Sequence, residues 1–231
     1  MQTAEIEPSR DCPFCPRLKD FRDEWREREP SWFNAPVPTF FPDAGSESVE
    51  FLIVGLGPGV RGANRTGRPF TGDYAGELLY STLIRFGFAH GRFLARPDDG
   101  LQLARTAITN AVRCVPPQNK PTSTEINTCR QFLSATLSSL PNLRAVLTLG
   151  AIAHQSTVKA LGERLAVMPF KHGGRYRSGD IELFSSYHCS RYNTNTGVLT
   201  EKMFVSVFAQ VEQFLATSQR QEAPSETLQQ P

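Results

Sequence analysis

From Phe51 onward, apolar runs alternate with amphipathic stretches. Phe51, Leu52, Ile53 and Val54 form an unbroken apolar run ending at Gly55, which predicts a buried strand entering a glycine turn. Ala75, Leu78, Leu79, Leu83 and Phe86 then recur at helical spacing and stop at Gly87, as a helix closed by a C-terminal glycine does. A second strand is expected from Thr106 to Val112. Thr122 followed three residues later by Glu125 is a capping-box signature, and the helix it opens carries Ile126, Cys129, Leu133, Leu137 and Leu140 on one stripe. A third strand, Ala145 to Leu149, halts at Gly150 and feeds another helix. A fourth, Ile181 to Ser185, leads into Tyr187 and His188. Thr200 can cap a last helix with Phe204, Phe208, Val211 and Leu215 inward. Strands alternating with helices predict an α/β fold, a mostly parallel four-stranded central sheet flanked by helices.

The ends differ from this middle. Residues up to about Ser48 carry seven prolines and no sustained apolar periodicity, so 1–48 read as an arm wrapped on the body. The stretch 218–231 reads as a disordered polar tail. With 231 residues, the chain suits one domain, 1–217, rather than two. At 39% hydrophobic residues, it has no run near the ~18 apolar residues of a membrane span. It also lacks a basic segment followed by an apolar core at its N-terminus, so a cytoplasmic, soluble monomer without membrane contact is expected.

A net charge of +2 does not by itself argue for a polyanionic partner, since such binding depends on local charge. Two local clusters exist: Arg61, Arg65 and Arg68 in a glycine-rich segment, and Lys171, His172, Arg175 and Arg177 further on. Either also suits a solvated loop. In open α/β sheets ligands sit at the carboxyl ends of strands, where Gly55 to Asp73, Asn110 to Pro117 and His188 to Gly197 fall. Cys12 and Cys15 form a C-x-x-C pair, and Cys114 and Cys129 a second set, leaving Cys189 alone. Four thiolates in two sets suit an iron-sulfur cluster or a structural zinc; unrelated core cysteines remain the ordinary alternative. Spacing does not separate iron from zinc.

Gly55-Leu56-Gly57-Pro58-Gly59 matches neither the dinucleotide fingerprint nor the phosphate loop. It continues through Gly62-Ala63-Asn64-Arg65-Thr66-Gly67-Arg68-Pro69-Phe70-Thr71-Gly72-Asp73. That segment resembles the first motif of the B-type, or fifth-family, uracil-DNA glycosylases. Thr109-Asn110-Ala111-Val112-Arg113-Cys114, and His188-Cys189-Ser190 running to Asn195-Thr196-Gly197, resemble that family in the same order. The four paired cysteines fall where it and the related fourth family place theirs. The resemblance covers about residues 12 to 215.

The resemblance implies a uracil-DNA glycosylase-like fold and a [4Fe-4S] cluster on Cys12, Cys15, Cys114 and Cys129, partly carried by the arm. It implies a monofunctional glycosylase of base excision repair, which flips uracil out of DNA and hydrolyses it away to leave an abasic site. Hypoxanthine and xanthine are expected as further substrates, double- and single-stranded DNA with deaminated bases as partners, and the nucleoid as the place of action. Hydrolysis of the base-sugar bond builds positive charge on the sugar and negative charge on the base, so a carboxylate near the sugar and donors near the base are required. Asp73 is assigned the first role, Asn110 reads a base edge, and His188 donates to the uracil oxygen. Phe70 stacks on the flipped base, with Gly57 against the pocket. Arg65, Arg68, Ser190, Arg191, Tyr192 and Asn195 contact DNA, Tyr192 as a wedge. Each has an ordinary counterpart: Asp73 as a helix N-cap, Asn110 and His188 as satisfied buried groups, Phe70 as core. No lysine lies in the three motifs, so lyase chemistry through a Schiff base is not indicated.

Two departures stand out. Cys189 replaces the proline usual after the histidine and is read as a non-ligand, and Gly57 stands where B-type members commonly have alanine. The first keeps open a non-catalytic iron-sulfur protein that binds DNA damage. An iron-sulfur electron carrier is a third reading, one with no use for Asp73, Asn110 or His188.

Overall fold

The computed structural model describes residues 6–222, with side chains for 6–217. Its central sheet is laid down by β1 (Phe51–Gly55), then, past the two-residue strands β2 (Ala89–His90) and β3 (Gln102–Leu103), by β4 (Thr106–Asn110), β5 (Ala145–Leu149), β6 (Gly174–Ser178) and β7 (Ile181–Ser186). The sheet order is β4-β1-β5-β7-β6. β1 pairs in parallel with β4 and β5, and β5 with β7, so the four parallel strands are those the apolar runs predicted. A fifth strand was not foreseen. β6 joins the edge antiparallel to β7, and its burial alternates along Gly-Arg-Tyr-Arg-Ser, a one-sided pattern that reads in the sequence as a basic segment.

Burial on both faces explains the continuous apolar runs. Within β1, Phe51 and Ile53 belong to one core and Leu52 and Val54 to the other, the two-residue period of a pleated strand. The first face is covered by α3 (Tyr74–Arg85) and α7 (Glu201–Glu222) through Leu79, Leu83, Phe204 and Phe208. The second is covered by α4 (Ser123–Ser138) and α5 (Ala151–Ala160) through Leu133, Leu137, Ala153 and Val158. Each such fully buried Leu or Phe contributes about 1.5–3 kcal/mol. The capping box of α4 is closed: Glu125 N-H donates to Thr122 Oγ1 at 3.2 Å and Thr122 N-H to Glu125 Oε2 at 2.7 Å.

The arm is more ordered than its sequence suggests. It contains α1 (Pro16–Arg28), opened by a proline in its first turn, and a Phe40–Ile108 bridge that lies antiparallel on the free edge of β4. Covering an edge this way removes a template for strand pairing between chains. Strand β4 stops at Asn110 rather than at Val112, while Ala111 and Val112 still donate backbone bonds to Gly55 and Leu56 at 2.9 and 3.0 Å. Helix α7 continues to Glu222, past the start assigned to the polar tail; the remainder of that tail, 223–231, lies outside the described residues. Among the described residues no helix is long and apolar enough to cross a membrane.

Candidate active site

The parallel strands end together, Gly55 level with Asn110 and Leu149 level with Ser186. The loops leaving that end enclose a cavity of ≈ 540 Å³. Gly57, Phe70, Asp73, Asn110, His188, Ser190 and Arg191 all line it, so the three sequence motifs do converge.

Close packing at Gly55 sets the floor. A Cβ there would stand 2.5 Å from Asn110 Oδ1 and 2.6 Å from Phe70 Cζ, so only glycine lets the amide and the ring approach the strand end together. Phe70 is held at φ +52°, a left-handed conformation that is costly for an aromatic residue and concentrates at functional positions. Its ring lies 5.9 Å from that of His188, with planes 28° apart.

Asp73 is the N-cap of α3, yet no side-chain hydrogen bond closes that cap. Its carboxylate lies against Gly62, where a Cβ would meet Oδ2 at 2.6 Å. The residue remains solvent-accessible at the cavity mouth. Crowding by protein raises its pKa, opposed by the nearby Gly76 and Ala75 N-H groups. Asn110 is buried at the tip of β4 and its amide has no hydrogen-bond partner among the described residues. Burial lowers the His188 pKa to about 4, so the imidazole is neutral at pH 7 and keeps one N-H to donate. No protein group among the described residues takes that hydrogen bond, while the His188 carbonyl is fixed by Asn193 Nδ2 at 2.8 Å.

The remaining assigned positions separate. Ser190 caps the short α6 (Arg191–Asn195), and the Arg191 guanidinium lies over the Tyr74 ring, 5.1 Å from its centroid. Tyr192 is 74% exposed, and Asn195 is also exposed; neither lines the cavity. Arg65 is exposed on α2 (Ala63–Thr66) and faces a neighbouring cavity. Arg68 corrects the sequence reading. It is buried, paired through both terminal nitrogens with Asp99 at 2.8 Å, and donates to Thr71 Oγ1, so it has no access to a phosphate. In the second basic cluster, Arg175 of β6 pairs with Glu182 and lies over Phe184, while Lys171 and Arg177 are exposed. At Gly57 a Cβ would point toward the Val112 carbonyl at 3.3 Å and Pro116, away from the cavity lining.

Asn119 was missed. It lines the cavity from the loop after Cys114, in which Gln118 and Asn119 both take left-handed φ, +56° and +57°. Asparagine tolerates that region better than most residues, and the preceding Pro116-Pro117 was the sequence signal for a fixed loop. Tyr74 at the mouth was also overlooked.

Cys12, Cys15, Cys114 and Cys129 line one nearly closed cavity with Leu18 and Phe132. All are free thiols. Burial, reinforced by their neighbouring thiols, pushes Cys15 up to about 11 and Cys114 up to about 12, so without a metal they stay protonated. The Arg113 N-H donates to Cys129 Sγ at 3.3 Å, and the buried Arg22 has an Nε with no hydrogen-bond partner. Among the described residues, no three His, Cys, Asp or Glu side chains form a group arranged to hold a metal ion. Cys189 lies elsewhere, fully buried, its Sγ donating to the Ala75 carbonyl at 3.5 Å.

The chain is similar to known proteins over most of its length. The family model for the uracil DNA glycosylase superfamily matches residues 42–212. The chain is 41% identical over 208 residues to a type-5 uracil-DNA glycosylase of Thermus thermophilus, covering 87% of this chain and 92% of that one. It is 36% identical over 200 residues to a type-5 enzyme of Pyrobaculum aerophilum, covering 85% of each. A Mycobacterium leprae type-5 enzyme is 39% identical over 208 residues, covering 85% of this chain and 88% of its own.

Proposed function

This chain belongs to the uracil-DNA glycosylase superfamily, and from that premise we propose that it removes uracil from DNA by hydrolysis, leaving an abasic site for base excision repair. The observation that carries the reading is the cavity at the strand ends, where Asn110 and a neutral His188, neither with a side-chain hydrogen-bond partner among the described residues, face one space with the Asp73 carboxylate at its mouth. A flipped uracil enters it beside Phe70. Asn110 offers one acceptor and two donors to its edge. The His188 N-H donates to the uracil oxygen on which charge grows as the bond breaks, an interaction stronger in the transition state than before it. Asp73, at the mouth, stabilises the cationic sugar and orients the attacking water. Among the described residues no lysine lines the cavity, which supports a monofunctional reaction without an amine to trap the sugar.

At ≈ 540 Å³ the cavity leaves space beyond a pyrimidine ring, which supports hypoxanthine and xanthine as further substrates. The single-turn α6, with Ser190, Arg191, exposed Tyr192 and Asn195, is the segment we assign to the DNA strand at the vacated position, in duplex and single-stranded DNA alike.

The four cysteines fit a [4Fe-4S] cluster. The four cysteines gathered around one cavity and the buried Arg22 cation beside them suit a group that is negatively charged with its thiolates. When bound, it would tie the arm to α4 and to the Cys114 loop; the excision chemistry needs no electron from it. A labelled duplex with one uracil, incubated with excess protein, tests the function. Free uracil and strand cleavage only after alkali support it. An intact duplex, bound but uncut, supports instead a damage-binding protein.

A further inference from the structure

The base cavity does not end at Asp73. Gly59, Asp73 and Asn119 are shared with a second cavity of ≈ 430 Å³, which in turn shares Trp25 and Arg61 with a third of ≈ 400 Å³. The three form one track from the strand ends to the arm. At its far end Trp25 and Trp32 stack in parallel, ring centroids 5.3 Å apart and planes 6° apart, and the Arg28 guanidinium lies over Trp25 at 5.2 Å. Glu29 lines the same cavity. Arg61, between the second and third cavities, is exposed and its guanidinium has no partner among the described residues. Arg65 beside it is oriented by its Nε-H bond to the Arg61 carbonyl at 3.0 Å.

An indole wall next to exposed guanidinium groups is the combination that holds single-stranded nucleic acid: aromatic faces for bases and cations for the backbone. We propose that this track binds a nucleotide of the lesion strand adjacent to the flipped one, with its phosphate on Arg61 and Arg65 and its base against the Trp25–Trp32 wall. Glu29 repels a phosphate at that end but accepts a hydrogen bond from an exocyclic base amine, so the polarity of the track fixes which end takes the base. The proposal rests on the glycosylase reading, because that reading supplies the strand. It adds a function for the arm that is independent of the cysteines.

The chain's only two tryptophans are these two, so tryptophan emission of the full-length, cluster-containing protein reports on the track. An end-labelled single-stranded oligonucleotide with one uracil analogue resistant to hydrolysis is titrated while label anisotropy and tryptophan emission are recorded together, for the wild type and for Arg61→Gln. The expected result is saturable quenching at the DNA concentrations where anisotropy rises. In R61Q, weaker binding is expected, with a salt slope shallower by about 0.7 for the lost phosphate contact. DNA binding with unchanged tryptophan emission and an unchanged R61Q salt slope would overturn the proposal while uracil removal stands. A chain that neither binds DNA nor removes uracil would take down the functional reading and this proposal with it.

Discussion

Where the arm meets the sheet, the buried Arg113 donates to Glu7 and Thr39 through one nitrogen and to Thr136 through another, and nearby Arg68 is clasped by Asp99. Around the cavity, the side chains of Asn110 and His188 have no such bonds among the described residues, and Asp73 has only the nearby Gly76 and Ala75 N-H groups. Burying a polar group without a partner costs stability; the terminal nitrogens of Arg113 are paired although its Nε is not, whereas the cavity groups are paired far less, which folding alone does not explain. The contrast even runs through one motif. Arg65 and Arg68 are three residues apart, one solvated on α2 and one buried in an ion pair. Paired residues such as Arg113 and Arg68 hold the molecule together, and Asp73, Asn110 and His188 are the ones we assign to the substrate.

Variants can break this contrast at either side. The largest effect is expected at the cysteine cavity, where Cys114→Ala should remove the brown colour of the cluster and lower the soluble yield, because a metal group's binding energy is folding energy; the checks are absorbance and iron content. A colourless wild type with bound zinc would replace the cluster without touching the catalytic account. Next, Arg68→Ala should lower stability by about 3–5 kcal/mol, since it strands a buried carboxylate, whereas Arg65→Ala should stay within about 0.5 kcal/mol. Urea unfolding of both decides this. Third, His188→Ala should reduce the excision rate by about 10²–10³-fold. It should also alter the acid stability profile. The folded pKa of about 4 lies below the ordinary 6.5, so the unfolded chain binds a proton first, and the stability carried by neutral His188 is present above pH 6.5 and lost as pH falls through about 4. The smallest effect is expected at Cys189→Ala, about 1 kcal/mol from one buried side chain, with excision largely retained, as thermal melting and a rate assay would show.

The same contrast explains what could be read without coordinates. Strands β1 and β5 were legible because burial on both faces writes apolar runs ended by glycine, and β4 and β7, interrupted by Thr109 and Glu182, were legible as shorter apolar stretches alternating with the helices. Helix α1 was not, since charges surround most of it and only Leu18 and Arg22 are buried; its reason to be helical lies in packing on the cysteines. The cavity residues were legible through motif resemblance, and the structure brings Gly57, Phe70, Asp73, Asn110 and His188 together. Arg68 was misplaced because its partner, Asp99, lies on a loop far along the chain, where no local pattern signals the pair. Asn119 was missed because its access to the cavity depends on two left-handed residues after Pro117, a backbone property that composition does not disclose.

That the cavity groups serve chemistry rather than folding is tested most directly at Asp73, by single-turnover release of uracil from a labelled duplex by the wild type and by Asp73→Asn, with DNA affinity and melting temperature measured on the same preparations. The account predicts a rate lower by about 10²–10⁴-fold in the variant at unchanged affinity and melting temperature. Equal rates, or a loss of rate that merely follows a loss of folded protein, would contradict it.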